Sequence, residues 1–142
     1  MAEGEARDPA PDPQDPDRLI TDFAGRVPGT LHALVLSSDG VPLAGSGRLE
    51  PEQAAQLSAI AAGLISLAGS AARTFDCGAV TQALVAMDRS TLVIMAINDA
   101  ASLVVHTSAA DLDLVAYEMT MLAERADDIV ALGADRDSPG PA

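Results

Sequence analysis

Apolar positions along the first third of the chain change from helical to strand-like spacing, and turn residues separate the segments. Asp15-Pro16 predicts a helix start, a capping acceptor followed by proline at the first helical position. Apolar residues then step by three and four until Pro28-Gly29. The apolar run Leu31 to Ser37 is typical of a strand covered on both faces. Asp39-Gly40 indicates a hairpin turn, with Val41 to Gly45 as the return strand.

The rest of the chain repeats this change of period. Pro51 opens a long helix that is expected to run to about Phe75, and Asp76-Cys77-Gly78 breaks it. Three strands and a last helix follow: Ala79 to Met87, Thr91 to Ile97, Ser102 to Thr107, and a helix from near Ser108 or Asp111. The predicted order is α-β-β-α-β-β-β-α. It indicates an α/β fold of the α+β type, with helices on both faces of one five-stranded, mostly antiparallel sheet.

The predicted domain spans residues 15–132. Residues 1–14 and 133–142 are acidic and rich in proline or glycine, and both segments are expected to be disordered tails.

The long second helix has two contrasting sides when its residues are placed at 100° intervals. One side, the predicted core face, holds Leu57, Ile60, Ala61, Leu64, Ile65, Leu67, Ala68, Ala71, Ala72 and Phe75. The other holds Ala55, Ala59, Ala62, Gly63, Ser66, Gly69, Ser70 and Arg73, which are small and, except for Arg73, uncharged. An ordinary surface helix would carry charges there. Either an alanine-rich composition explains this by chance, or the small residues lie against a second helix, as in a two-fold dimer.

A membrane span is the alternative interpretation of this helix. Gln53 to Ala72 is twenty residues without a charge, which is long enough to cross a bilayer. Glutamines, serines and glycines interrupt it, and half of its apolar content is alanine, so transfer to hydrocarbon would be weak. No direct membrane insertion is expected.

Composition limits the partners. The formal charge of the 142 residues is -13, no residue is lysine, and aromatic residues make up 2%. Nucleic acid and anionic membranes bind clustered cations, and stacked bases need aromatic platforms, so both are poor partners. A basic or neutral protein surface suits this chain better. The acidic N-terminus has no secretory pattern and the chain has one cysteine, Cys77, so a cytoplasmic location is expected.

Residues that could carry chemistry are few. His32 and His106 lie within strand-like apolar sequence, where a structural role is the more common one. Gly45-Ser46-Gly47 begins like a dinucleotide fingerprint but lacks its third glycine, and a P-loop is impossible without lysine. Glu124, Asp127 and Asp128 are typical of a solvated helix face more often than of a metal site. We therefore predict no catalytic, cofactor or metal site, and a protein that is not an enzyme.

Three segments resemble the roadblock/LC7 family: RVPGTLHALVLSSDGVPLAGS (Arg26 to Ser46), QLSAIAAGLISLAGSAARTF (Gln56 to Phe75) and VAYEMTMLAERADDIV (Val115 to Val130). The resemblance covers roughly residues 17–132 in the family's order. It is strongest to actinobacterial roadblock proteins encoded beside a sensor-kinase-like protein and a small GTPase.

The resemblance implies a profilin-like sandwich whose third strand lies at the sheet edge. That strand would pair with its two-fold mate into a ten-stranded sheet, with the two central helices side by side. The dimer interface would then contain Ala55, Ala59, Ala62, Ser66, Gly69, Arg73, Ala79, Val80, Thr81, Gln82 and Ala83. Cys77 departs from the small residue expected between the central helix and the edge strand.

The family also implies a partner. Its members bind small Ras-like GTPases, so a non-catalytic regulatory module is expected that modulates or positions such a GTPase. Membrane recruitment would then occur only through partners. The alternative is a structural scaffold that tethers a sensor-kinase-like protein without affecting nucleotide turnover.

Overall fold

The computed structural model describes residues 15–137, and side chains through residue 127. Its elements are α1 Pro16–Arg26, β1 Thr30–Ser37, β2 Pro42–Gly45, α2 Pro51–Thr74, β3 Gln82–Ala86, β4 Thr91–Asn98, β5 Ala101–Thr107 and α3 Leu112–Asp137. The predicted order is confirmed. Helix α3 continues past residue 132, where the sequence placed the domain end. The tail predicted over residues 1–14 lies outside the described residues, as do residues 138–142.

The five strands form one sheet in the order β2-β1-β5-β4-β3, and every neighbouring pair is antiparallel. Strands β1 and β5 pair at the centre, where Leu34 lies opposite Val104. Strand β3 lies at one edge and pairs with β4 alone, as the family resemblance implies.

Strand β3 is shorter than the predicted Ala79 to Met87. Asp76 and Gly78 both have left-handed backbones, with φ of 54° and 83°. They turn the chain sharply after α2. The β3–β4 ladder ends where Gln82 pairs with Met95, and the register of β4 against β5 shifts just beyond, between Ala96 and Asn98. Residues 79–81 therefore precede the strand instead of belonging to it.

Alternating residues of the sheet contribute to two aliphatic cores. Helices α1 and α3 cover one face and bury Phe23 and Met119 against Val35, Val93 and Val105. Helix α2 covers the other face, where a second cluster contains Leu34, Leu36, Ala61, Ile94 and Val104. Because strand side chains point alternately up and down, the unbroken apolar run of β1 supplies both cores.

The turn after α1 requires a glycine. Gly29 has φ of +86°, and a Cβ atom there would lie 2.8 Å from the Cβ of Ala109. Its carbonyl oxygen accepts a hydrogen bond from the Ser108 amide at 2.9 Å. This contact joins the α1–β1 turn to the segment that leads into α3.

Helix α2 is rotated relative to its predicted core face. Ser58 and Ala61 are its fully buried residues, whereas Ile60, Leu67 and Phe75 are exposed. The prediction that these three large residues belong to the core is therefore wrong. Because small side chains let the helix approach the sheet closely, Ala61 and its small neighbours are turned inward.

Ser58 offers a test of this packing. Its side chain has 0% exposure, and Oγ has no hydrogen-bond partner within the described part of the chain. An unsatisfied buried hydroxyl costs about 1–3 kcal/mol. We expect Ser58→Ala to raise the free energy of unfolding by about 1 kcal/mol in urea titrations. The matched change at exposed Ser66 should alter it by only a few tenths. A less stable Ser58→Ala protein would contradict this account.

Candidate interaction surface

Helix α2 presents large apolar side chains to solvent. Ile60 is 52% exposed, Leu67 is 70% exposed, and Phe75 directly after the helix is 73% exposed. Ile60 and Leu67 are two helical turns apart on the same side, with half-buried Leu64 between them. This spacing is that of a coiled-coil seam. We call the stripe Ile60, Leu64, Leu67 and Ala71 the apolar seam.

The small-residue side of α2 is divided by the β1–β2 hairpin. A Cβ atom on Gly40 would lie 3.5 Å from the Cα of Ala59 and 3.5 Å from the Cβ of Ala62. The hairpin turn thus rests on this part of the helix and leaves Ala62 half-buried. The exposed members of the predicted helix contacts are Ala55, Ala59, Ser66 and Arg73.

The edge of β3 lies beside α2. On its free side the strand presents backbone N–H and C=O groups that β4 does not use. Ala83 packs toward α2, whereas Leu84 points to the opposite face and is 51% exposed. An unprotected edge with apolar side chains is a template for another strand.

A cleft of about 620 Å³ joins the helix surface to the segment before β3. It lies between the C-terminal half of α2 and the β4–β5 turn. Its lining includes five residues of the predicted interface: Ser66, Gly69, Arg73, Ala79 and Val80. The structure brings these five together, and it places Thr81, Gln82 and Ala83 directly after them along the chain.

Length and composition alone would allow α2 to cross a membrane, and 11% of its most apolar stretch is buried. However, α2 covers the second core with Leu57, Leu64 and Ile65. The strands of this core include one that precedes α2 in the sequence and two that follow it. Removing the helix would expose Leu34, Ile94 and Val104. This packing holds α2 on the sheet, so the helix cannot leave for a bilayer without opening the second core.

The two histidines, which the sequence treats separately, meet across β1 and β5. His32 and His106 are register partners, and their Nδ1 atoms are 3.1 Å apart. The Nε2 atom of His106 lies 2.9 Å from Ser90 Oγ. Both rings line a cavity of about 330 Å³ beside the N-terminal half of α2. The alternation of side chains along β1 could have placed His32 on the face of the sheet that α2 covers. Only the pairing register of β1 with β5 places His106 opposite His32.

Burial lowers the pKa of His106 below 6.5, and the charge of His32 lowers it further. Since the unfolded chain then binds the proton more tightly, the stability that neutral His106 contributes is complete above pH 6.5 and is lost as pH falls through the folded-state pKa. We expect the free energy of unfolding to fall as the pH is lowered from about 7.5 through the folded-state pKa of His106. The decrease should be smaller in His106→Gln. Equal slopes in urea titrations of both proteins would contradict this.

Other candidate groups have structural contacts. Ser46 Oγ accepts a hydrogen bond from the Ala33 amide at 3.3 Å, next to the strand pair that holds Gly45. Asp127 accepts one from Asn98 Nδ2 at 2.6 Å, and Asp128 lies beyond the described side chains. Cys77 is exposed, and its Sγ contacts the Phe75 carbonyl oxygen at 3.5 Å.

Comparison with known proteins agrees with this architecture. The sequence model for the Roadblock/LC7 domain matches residues 16–107. A Roadblock/LC7 domain structure from Streptomyces avermitilis is 34% identical, with a TM-score of 0.78, covering 82% of this chain and 98% of that one. A second structure described in the same way, also from this organism, is 35% identical, with a TM-score of 0.63, covering 77% and 95%.

A more distant structure shares the fold. MglB of Myxococcus xanthus is 13% identical, with a TM-score of 0.73, and covers 81% of this chain and 94% of that one. No match was found among curated proteins. The matched family model and the two Streptomyces domains confirm the resemblance seen in the sequence, and this chain belongs to the roadblock/LC7 family.

Proposed function

We propose that this protein is a homodimeric, non-catalytic module that regulates or positions a small Ras-like GTPase. The observation that carries the proposal is the uncovered side of α2, uncharged along its apolar seam and continuous with the free edge of β3. Roadblock/LC7 domains are generally regulatory or interaction domains, in agreement with a surface built for contact.

Self-association explains two exposed features at once. A two-fold axis beside β3 would pair the strand with its own copy and satisfy the free backbone groups. The same axis would bring the two α2 helices together and remove Leu67 and Ile60 from water. Burial of a leucine or isoleucine side chain is worth about 1.5–3 kcal/mol, and each such contact would occur twice.

Membership of the roadblock/LC7 family supports a GTPase as the partner. The chain would provide a docking platform and no phosphate-binding loop, since it has no lysine. Its formal charge of -13 favours a basic or neutral surface on the GTPase. We place the complex in the cytoplasm, with membrane recruitment only through partners.

The test is single-turnover GTP hydrolysis and nucleotide exchange by a co-encoded GTPase, with and without this protein. Binding together with a changed rate of either step is the expected result. Binding with unchanged rates would favour the alternative, a scaffold that tethers a sensor-kinase-like protein. No binding would refute the GTPase proposal.

A second arm tests whether the module supplies catalytic groups. An arginine finger contributes about 10³–10⁵-fold to GTP hydrolysis. Among the described residues, six arginines are exposed: Arg18, Arg26, Arg48, Arg73, Arg89 and Arg125. Each change to alanine should leave most of any stimulation in place. A loss of about a thousandfold at one of them would show that this protein takes part in the chemistry.

A further inference from the structure

The rings of His32 and His106 meet head-on, with one nitrogen of each ring directed at the other. The ring centroids are 5.3 Å apart and the planes differ by 10°. The Nδ1 atoms are only 3.1 Å apart, much closer than the ring centroids. A difference this large is possible only when both nitrogens lie almost on the line that joins the two centroids. The rings therefore lie side by side in nearly one plane, with the two nitrogens facing each other.

In this arrangement a hydrogen on one Nδ1 points directly at the lone pair of the other. We propose that the same position binds a soft monovalent cation, Cu⁺, in place of that hydrogen. Such d¹⁰ cations favour two donors in a straight line. Two metal–imidazole bonds of about 2 Å would need the nitrogens about 4 Å apart, so the rings would separate by about 1 Å.

The proton balance is simple for the neutral pair. One ring carries its hydrogen on Nδ1 and the other on Nε2. When the cation binds, the first ring moves its proton from Nδ1 to Nε2 through solvent, so both Nδ1 lone pairs become ligands and no proton is released. Ser90 Oγ, 2.9 Å from His106 Nε2, can accept the Nε2 hydrogen and hold that ring in the metal-binding tautomer.

The surrounding cavity suits a soft cation better than a hard one. Its remaining lining consists of Leu49, Gln53, Leu57, Met87, Ser90 and Leu92. No residue of that lining carries a formal charge, so carboxylates, the preferred ligands of magnesium and calcium, do not take part in it. Met87 brings a thioether to the same cavity, and thioethers select Cu⁺. The acidic charge of the chain attracts cations in general.

The experiment uses Ag⁺, a non-oxidising probe for Cu⁺ chemistry, and the full-length chain carrying Cys77→Ser. This change removes the exposed thiol, which would otherwise compete for silver. Nitrogen NMR of the histidine rings should show both Nδ1 resonances shifting together until one equivalent is bound. Unchanged Nδ1 resonances at one equivalent would overturn the proposal, whatever the behaviour of the variants.

Variants then assign the ligands. Loss of a residue that only supports a metal ligand costs about 10–100-fold in metal affinity. His32 and His106 are proposed as the ligands themselves, so His32→Gln or His106→Gln should weaken silver binding by at least about 100-fold. Gln53→Ala alters the same cavity without touching either ring and should bind as the parent does. Equal affinity in the histidine variants would overturn the assignment. A protein that binds Zn²⁺ at the Nδ1 atoms but not Ag⁺ would overturn the proposed class of cation.

Discussion

Replacing Leu67 with glutamate is expected to convert the proposed dimer into monomers. Leu67 is 70% exposed within one chain and lies in the apolar seam, so the proposed interface would cover it. In the proposed dimer, symmetry would place two glutamates at the dyad, and burial of each unpaired carboxylate costs at least about 2 kcal/mol. The dissociation constant should therefore rise on the order of 1,000-fold. Sedimentation or light scattering at micromolar concentration measures the change.

Ser66→Glu is the matched control for this substitution. Ser66 neighbours Leu67 but lies on the small-residue side, which the sequence predicts as the helix contact. Glutamate is a good helix former at either exposed position, so circular dichroism should show a folded chain in both cases. Monomers from Leu67→Glu alone would place the apolar seam at the dyad. Monomers from Ser66→Glu alone would place the small-residue side there. If both variants remain dimeric, α2 does not lie in the dimer interface. If the wild type is monomeric, the proposal of self-association is refuted.

Phe23→Ala is expected to destabilise the fold by about 3–5 kcal/mol. Phe23 has 0% exposure and lies in the core that α1 and α3 form on the sheet. Its removal leaves a cavity that aliphatic neighbours can fill only in part. Because domains of this size are stable by about 5–15 kcal/mol, the variant should lose a large fraction of its stability. Urea titration followed by circular dichroism measures the loss.

Phe75→Ala makes the same chemical change at a solvated position. Phe75 is 73% exposed, so the folded monomer should lose less than about 0.5 kcal/mol. If Phe75 contacts the second copy, its loss should instead weaken dimerisation, which is seen as a concentration-dependent midpoint. Equal destabilisation by the two alanine variants at low protein concentration would contradict the burial described above.

The order of elements follows from the sequence because each change of period is bounded by strong turn residues. The orientation of α2 does not. Ile60 and Ala61 are both apolar, and periodicity alone cannot tell which of them faces the sheet when almost the whole helix is uncharged. Close packing makes that choice, since the small side chain of Ala61 fits against the strands.

The candidate surface could be predicted in part. The uncharged, small-residue side of the helix indicated a contact region, and the cleft brings together the predicted Ser66, Gly69 and Arg73. The histidine pair could not be predicted, because it depends on the register between strands that are about seventy residues apart in the chain. The pattern of apolar and polar residues around one histidine does not indicate which residue lies opposite it on the neighbouring strand.

The central position of β1 also has a consequence for folding during synthesis. Its neighbour β2 follows at once, but its other neighbour, β5, is complete only at Thr107. Until then the nascent hairpin has one bare edge, and α2 has no finished sheet to cover. Such non-local closure slows folding, because loop entropy must be lost before the contacts form. The apolar face of α2 would therefore remain exposed to water until β5 has been synthesised.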